Sequence, residues 1–170
     1  MFYNIYLTFN KSRNLINLNK IRSLADVFTK EKRSEVMSSV KSSNTKPEIL
    51  VRRMLFSKGF RFSIHDTKLP GSPDIKLKKY KTLIFVNGCF WHGHTTCRTY
   101  NAPKTNKRFW EEKIIRNKLR DKRVNRLLKK MGWRVITVWQ CDLAKKNLVN
   151  IIDKLALKIK GGSDTKNFRK

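Results

Sequence analysis

The apolar run Leu83-Ile84-Phe85-Val86 passes without a break into Asn87-Gly88-Cys89-Phe90-Trp91-His92-Gly93-His94-Thr95-Thr96-Cys97. The run reads as a buried strand. Thiols, imidazoles and aromatic rings have no common packing reason to gather just beyond a strand end. A metal site beside a stacking surface supplies such a reason. The chain has three cysteines, Cys89, Cys97 and Cys141, and an odd count argues against a pure disulfide framework. Met1 to Leu24 lacks the basic, apolar and small-residue order of a secretory signal. A reducing cytoplasm is therefore expected, where thiols serve as metal ligands or as small core residues.

Charge narrows the partners. Forty Lys and Arg against 12 acidic residues give a formal charge of +28 over 170 residues. So large an excess repels itself in a compact state, which points to an anionic partner. No apolar run approaches the ~18 residues of a membrane span. The basic residues are also spread along the chain rather than gathered beside one amphipathic anchor, so nucleic acid is favoured over membrane. The length suits one domain with a sizeable core. Residues 1–24 are expected to form a poorly ordered extension or a short edge strand, and 161–170 a frayed basic tail, leaving 25–160 as the folded domain.

The pattern predicts a first short helix after Thr29, with Val36, Met37 and Val40 facing inward. A second begins at Thr45-Lys46-Pro47-Glu48, where a capping Thr precedes a Glu by three residues and Pro occupies the first turn. Ile49, Leu50, Met54 and Leu55 give it an apolar face, and Gly59 suits a left-handed stop. Phe60, Phe62 and Ile64 alternate with Arg61 and Ser63 as a strand would. Leu69 to Pro73 must be a loop, since two prolines and a glycine defeat regular structure. Strands follow at 74–77 and 82–87. A basic helix spans about 106–131, with Trp110, Ile114, Leu127, Leu128 and Met131 as its apolar positions. Trp133 to Trp139 suits a strand covered on both faces, and Leu148, Ile151, Ile152, Leu155 and Ile159 repeat at helical spacing. This order predicts one α/β domain with a mixed sheet.

Two chemical sites stand out. Cys89, His94, Cys97 and Cys141 give the spacing C-x4-H-x2-C, with a fourth ligand 44 residues beyond Cys97. Three thiolates and an imidazole suit a closed tetrahedral structural zinc. The alternative makes Cys141 a small buried residue beside Trp139 and Cys89 a residue that merely follows a turn glycine. Asp74, after Pro73 at the start of a strand, places a carboxylate where Mg²⁺, a hard cation, finds the oxygen it prefers. Restriction-type nucleases place Pro-Asp at such a point and follow it with an acidic residue and a lysine on the next strand. Here that strand offers Phe85-Val86-Asn87, with no carboxylate, and a plain turn Asp is the alternative.

Six blocks occur in one order: Ala25-Asp26-Val27, Asn44 to Glu48, Leu69 to Asp74, Phe85 to His94, Phe109 to Ile114, and Gly132 to Val135 with Trp139-Gln140-Cys141. Together they resemble the very short patch repair endonucleases, which nick DNA beside a T:G mismatch. The likeness covers about residues 25–145. It implies a restriction-endonuclease-like fold, a mixed β-sheet flanked by helices with a structural zinc site, acting on mismatched double-stranded DNA. It implies that Asp74 binds Mg²⁺ with the backbone carbonyl of Val86, that Glu48 acts near the metal through water, and that His92 activates water. An imidazole titrating near neutrality suits that task. Glu48 is also explained as a capping residue, and His92 as a third metal-shell or surface histidine.

The resemblance further implies that Phe90, Trp91 and Trp110 wedge into the duplex, with Lys113 among the DNA-binding residues. Insertion at a wobble pair needs less unstacking, which yields selectivity. Core packing is the alternative for Phe90 and Trp110. Asn87 stands where family members commonly carry histidine; it donates a hydrogen bond but does not act as an acid. The stretch from His94 to Cys97 is one residue longer than usual in the family. Residues 1–24 have no counterpart, so a native start near Leu24 is expected. A monomer is expected, with mismatch-repair proteins as implied partners. A related nuclease acting on other mismatches, or a zinc-stabilised DNA-binding module without catalysis, are the competing readings.

Overall fold

The computed structural model describes residues 29, 32, 35, 43–97, 100, 102, 106–143 and 148–161. The chain divides into two units, Met1–Val40 and Lys41–Lys170. In the first, Lys32 and Glu35 are helical and the Lys32 N–H donates to the Thr29 hydroxyl at 3.2 Å. The expected inward residues Val36, Met37 and Val40, the 1–24 extension and the tail beyond Gly161 lie outside the described residues.

The second unit carries the sheet. Helix α1 (Lys46–Ser57) leads to β1 (Ile75–Leu77), a 3₁₀ turn (Lys78–Tyr80) and β2 (Thr82–Asn87). Then come α2 (Lys107–Lys130), β3 (Arg134–Trp139), the short α3 (Gln140–Leu143) and α4 (Leu148–Lys160). The strand order is β1-β2-β3, with β1 antiparallel and β3 parallel to β2, so the sheet is mixed as expected. In the parallel pair Thr82 faces Arg134 and Asn87 faces Trp139. Both strands therefore end at one rim.

Alternation along the strands separates two cores. Ile84, Ile136 and Val138 join Val51, Leu55, Ile152, Leu155 and Ile159, burying one sheet face under α1 and α4. Leu83 packs on the other face with Leu69 and Leu128, flanked by Phe85, Val124 and Val135, so α2 covers that side. The parallel pair is thus covered on both faces, which is why its strands read as near-continuous apolar runs. Arg134 ties β3 to its surroundings, donating to the Thr82 hydroxyl at 3.0 Å and to the Ile159 carbonyl at 2.6 Å. A guanidinium suits the exposed carbonyls of a helix C-terminus.

Several expectations need correction. Residues 60–64 form no strand, and their pairing is the single bridge Ser63–Lys76. Phe60 is buried while Ile64 is 45% exposed, so the alternation reflects one anchored phenylalanine rather than a ladder. Of the apolar positions expected in this helix, Leu127 and Met131 are 40% and 53% exposed. The inward row of α2 runs instead through Trp110, Ile114, Asn117, Asp121, Val124 and Leu128. Thr45 is the N-cap of α1, but its hydroxyl donates to Glu48 at 2.7 Å instead of accepting from a helix N–H. Gly59 has the expected positive φ, 83°. The helical turn α3 was not anticipated. Among the described residues, no helix is long and apolar enough to cross a membrane.

Candidate active site

The loop following β2 is folded by its own backbone. The His92 N–H donates to the Gly88 carbonyl at 3.2 Å, and the His94 N–H to the Cys89 carbonyl at 2.9 Å. Gly93 (φ 59°) lies against α2, and a Cβ there would come within 2.6 Å of Ile114. Only glycine fits a left-handed turn that close to a helix. This turn aims the two histidines differently.

His94 faces the cysteines. Its Nδ1 lies 3.7 Å from Cys89 Sγ and 3.5 Å from Cys141 Sγ, and its ring stacks on Trp139 at 4.1 Å. The ligand atoms of Cys89, His94, Cys97 and Cys141 all lie within 4.8 Å of one another. A tetrahedral ion with Zn–S of ~2.3 Å and Zn–N of ~2.0 Å has ligand edges of roughly 3.5–3.8 Å, so the four side chains fit zinc. Burial and the neighbouring Cys89 thiol push Cys141 up to about 12. The extra residue between His94 and Cys97 does not pull Cys97 out of the group.

His92 faces α2. Its Nδ1 lies 2.5 Å from Asp121 Oδ2. A carboxylate only accepts, so Nδ1 carries a proton and Nε2 is the ring nitrogen turned away from Asp121. Burial acts to raise the Asp121 carboxyl, but the His92 hydrogen bond and charge, joined by Arg120, outweigh it and lower its pKa. One turn earlier on the same row, Asn117 donates to the Trp91 carbonyl at 2.8 Å. Neither residue was singled out from sequence. Their signal was available: 117 and 121 are polar positions in an otherwise apolar row.

Asp74 stands at the entry to β1, where antiparallel pairing brings it to the end of β2. Its Oδ2 accepts the Val86 N–H at 2.7 Å. Burial raises its pKa above the ordinary carboxylate value, and the charge of Glu48 adds to the shift against that hydrogen bond. Glu48, buried in the first turn of α1, accepts from the Asn44 N–H at 2.9 Å, the Thr45 hydroxyl at 2.7 Å and Arg52 Nη2 at 2.8 Å. Glu48, His65 and Asp74 bring ligand atoms within 4.8 Å of one another. The two carboxylates of the sequence reading therefore meet, and His65 joins them unannounced. Asn87, half-buried, ends β2 beside Trp139.

The aromatic residues gather as one group. Phe90, Trp91 and Trp110 pack edge to face, with ring centroids 5.2 to 5.7 Å apart, and Phe109 adds to Trp110 at 5.1 Å. The Lys113 ammonium lies 5.3 to 5.7 Å from the Trp110, Trp91 and Phe109 rings. All three rings named from sequence are half-buried, and Phe109 is 51% exposed. An apolar, cation-capped cluster thus stands beside the His92 loop.

Comparison with known proteins places the chain in a family. The family described as DNA mismatch endonuclease Vsr matches residues 25–98. The type II nicking enzyme V.NmeAIP of Neisseria meningitidis is 49% identical over 123 residues, covering 72% of this chain and 87% of its own. The type II nicking enzyme V.XorIIP of Xanthomonas oryzae is 43% identical, covering 76% and 98%. The DNA mismatch endonuclease Vsr of Escherichia coli is 40% identical, covering 71% and 76%. At that identity and coverage, the chain belongs to the Vsr family of DNA mismatch endonucleases.

Proposed function

We propose that this protein is a Mg²⁺-dependent endonuclease that nicks one strand of duplex DNA on the 5′ side of the thymine in a T:G mismatch. One observation carries the reading. The Asp74 carboxylate is anchored on the Val86 N–H and the His92 backbone on the Gly88 carbonyl, so a cation-binding oxygen and a proton acceptor share the end of β2.

Asp74 fits Mg²⁺ by its chemistry: one oxygen is held by a backbone N–H, which leaves the second for a hard cation. The Val86 carbonyl would supply a second oxygen, and Glu48 would act through water. When bound, the ion polarises the phosphodiester and stabilises the leaving oxygen. His92 Nε2 takes a proton from the attacking water, while Asp121 holds the ring and stabilises the imidazolium that forms. Asn87 donates a hydrogen bond at the phosphate. Phe90, Trp91 and Trp110 enter the stack at the mismatch, Lys113 pairs with the backbone, and the outer face of α2 follows phosphates. Zinc on Cys89, His94, Cys97 and Cys141 fixes the loop that carries Trp91 and His92.

A T:G duplex with one labelled strand, incubated with Mg²⁺, tests this. The protein nicks 5′ of the thymine, and Asp74→Ala abolishes nicking while duplex affinity stays within about threefold. Duplex binding without a nick by the unaltered protein would point instead to a binding module.

A further inference from the structure

The sheet has a second rim, opposite the one that carries Asp74 and His92. Thr82 pairs with Leu77 of β1 and with Arg134 of β3, so the turn between β1 and β2 and the start of β3 meet there. The Arg134 N–H donates to the Lys81 carbonyl at 2.8 Å, and its guanidinium reaches the Ile159 carbonyl near the end of α4 at 2.6 Å. The Phe60 and Tyr80 rings meet edge to face at 5.5 Å, with the Lys160 ammonium 6.0 Å from the first and the Lys79 ammonium 5.7 Å from the second. Lys78, Lys79, Lys81, Arg134 and Lys160 are thereby gathered on one surface, and all five are exposed. Lys58 pairs with Asp153 and Lys76 with Asp66, but none of these five has a carboxylate partner among the described residues. The dipole of α4 accounts for Lys160 in its last turn. It does not account for Lys78, Lys79 and Lys81, which belong to a single 3₁₀ turn. Lys81 even takes a left-handed conformation (φ 44°) that favours glycine, so the turn keeps a cation where a glycine would be relaxed.

The patch lacks an exposed apolar centre. Phe60 is buried, Tyr80 is half-buried, and the exposed Phe56 carries Arg61 over its ring at 4.3 Å. Protein partners usually close around an aromatic or aliphatic anchor, whereas a phosphate backbone is met by charge alone. The length of β2 sets the two rims about 17 Å apart, with α1 and α4 on one sheet face and α2 on the other. A straight duplex laid across the first rim does not reach the second. Curling around the unit would bend it far more tightly than its persistence length of ~50 nm favours. We infer that the far rim holds a second duplex segment while the first lies along α2, and that the protein thereby passes directly from one duplex to another. The inference rests on the reading of α2 as the first DNA track.

The test uses the full zinc-loaded chain on a fluorescent, fully paired duplex, with Mg²⁺ left out so that nothing is cut. The complex is mixed in stopped flow with a rising excess of unlabelled duplex, and release of the label is timed. The release rate climbs at least about fivefold across the series, because a second duplex binds before the first leaves. Changing Lys78, Lys79, Lys81 and Lys160 together to Gln holds release within about 1.5-fold across the same series, with single-duplex affinity kept within about threefold. The same four residues changed to Arg keep the climb, which separates lost charge from lost folding. A flat release rate in the unaltered protein, or an undiminished climb in the Gln variant, overturns the inference. A larger loss of single-duplex affinity overturns it as well, since the rim would then be the primary track. So does acceleration by polyglutamate equal to that by DNA at matched charge, which would assign the rim to an acidic protein. The flat-rate and polyglutamate readouts use the unaltered protein and stand whatever the variant does. If a T:G duplex is nicked with Mg²⁺ but transfer ignores these lysines, the inference fails alone. If transfer depends on them but nothing is nicked, the endonuclease reading fails instead.

Discussion

Asp121 occupies a place on α2 where an apolar side chain would otherwise continue the row from Ile114 to Leu128, and its carboxylate accepts from His92. An asparagine there presents an amide able to donate, which favours the wrong tautomer of the imidazole. Asp121→Asn is expected to lower single-turnover nicking about a hundredfold or more, with duplex affinity unchanged. The same residue carries a pH signature. Its folded pKa lies below the ordinary 3.8, so its contribution to stability is present above pH 3.8 and is lost as pH falls through the lowered value. The variant is therefore less stable than the unaltered protein at neutral pH, and the difference closes in acid. Urea midpoints at the two pH values check it. A gap that persists in acid would assign the loss to packing.

Helix α2 divides its work by face. Inward, Ile114, Val124 and Leu128 meet the sheet, and Asn117 and Asp121 hold the loop that follows β2. Outward, Arg116 and Arg123 are exposed within a run of further lysines and arginines. So dense a basic face is costly without phosphates nearby, which connects the net charge of +28 to one element. Replacing Arg116 and Arg123 by Gln should flatten the dependence of log affinity on log salt by about 0.9 for each phosphate contact removed. Duplex affinity measured across a salt series checks this, and an unchanged slope would move the DNA track to another face.

The four Cys and His side chains that fit zinc come from the ends of two strands. Cys89, His94 and Cys97 follow β2, whereas Cys141 follows β3 in α3. Parallel pairing sets those two strand ends side by side, so an ion held by all four side chains would close the rim that carries the aromatic cluster and His92. Cys141→Ser is expected to lose one equivalent of zinc and to lower the melting temperature on the order of 10 °C. Metal analysis and calorimetry on the purified protein check both, and full zinc content would exclude Cys141 as a ligand.

The sequence by itself determined what local pattern encodes: β2 with its ends, the long basic α2, the amphipathic α4, and the thiols, imidazoles and aromatic rings gathered in one stretch. These were legible because apolar periodicity and residue chemistry act over a few positions. Residues 60–64 misled because a single bridge and one buried phenylalanine imitate the alternation of a strand. Only the tertiary structure decided that Asp121 meets His92 across 29 positions and that His65 joins Glu48 and Asp74. Those contacts depend on strand register and on the rotation of α2 against the sheet, which packing of the entire core sets and no local window contains.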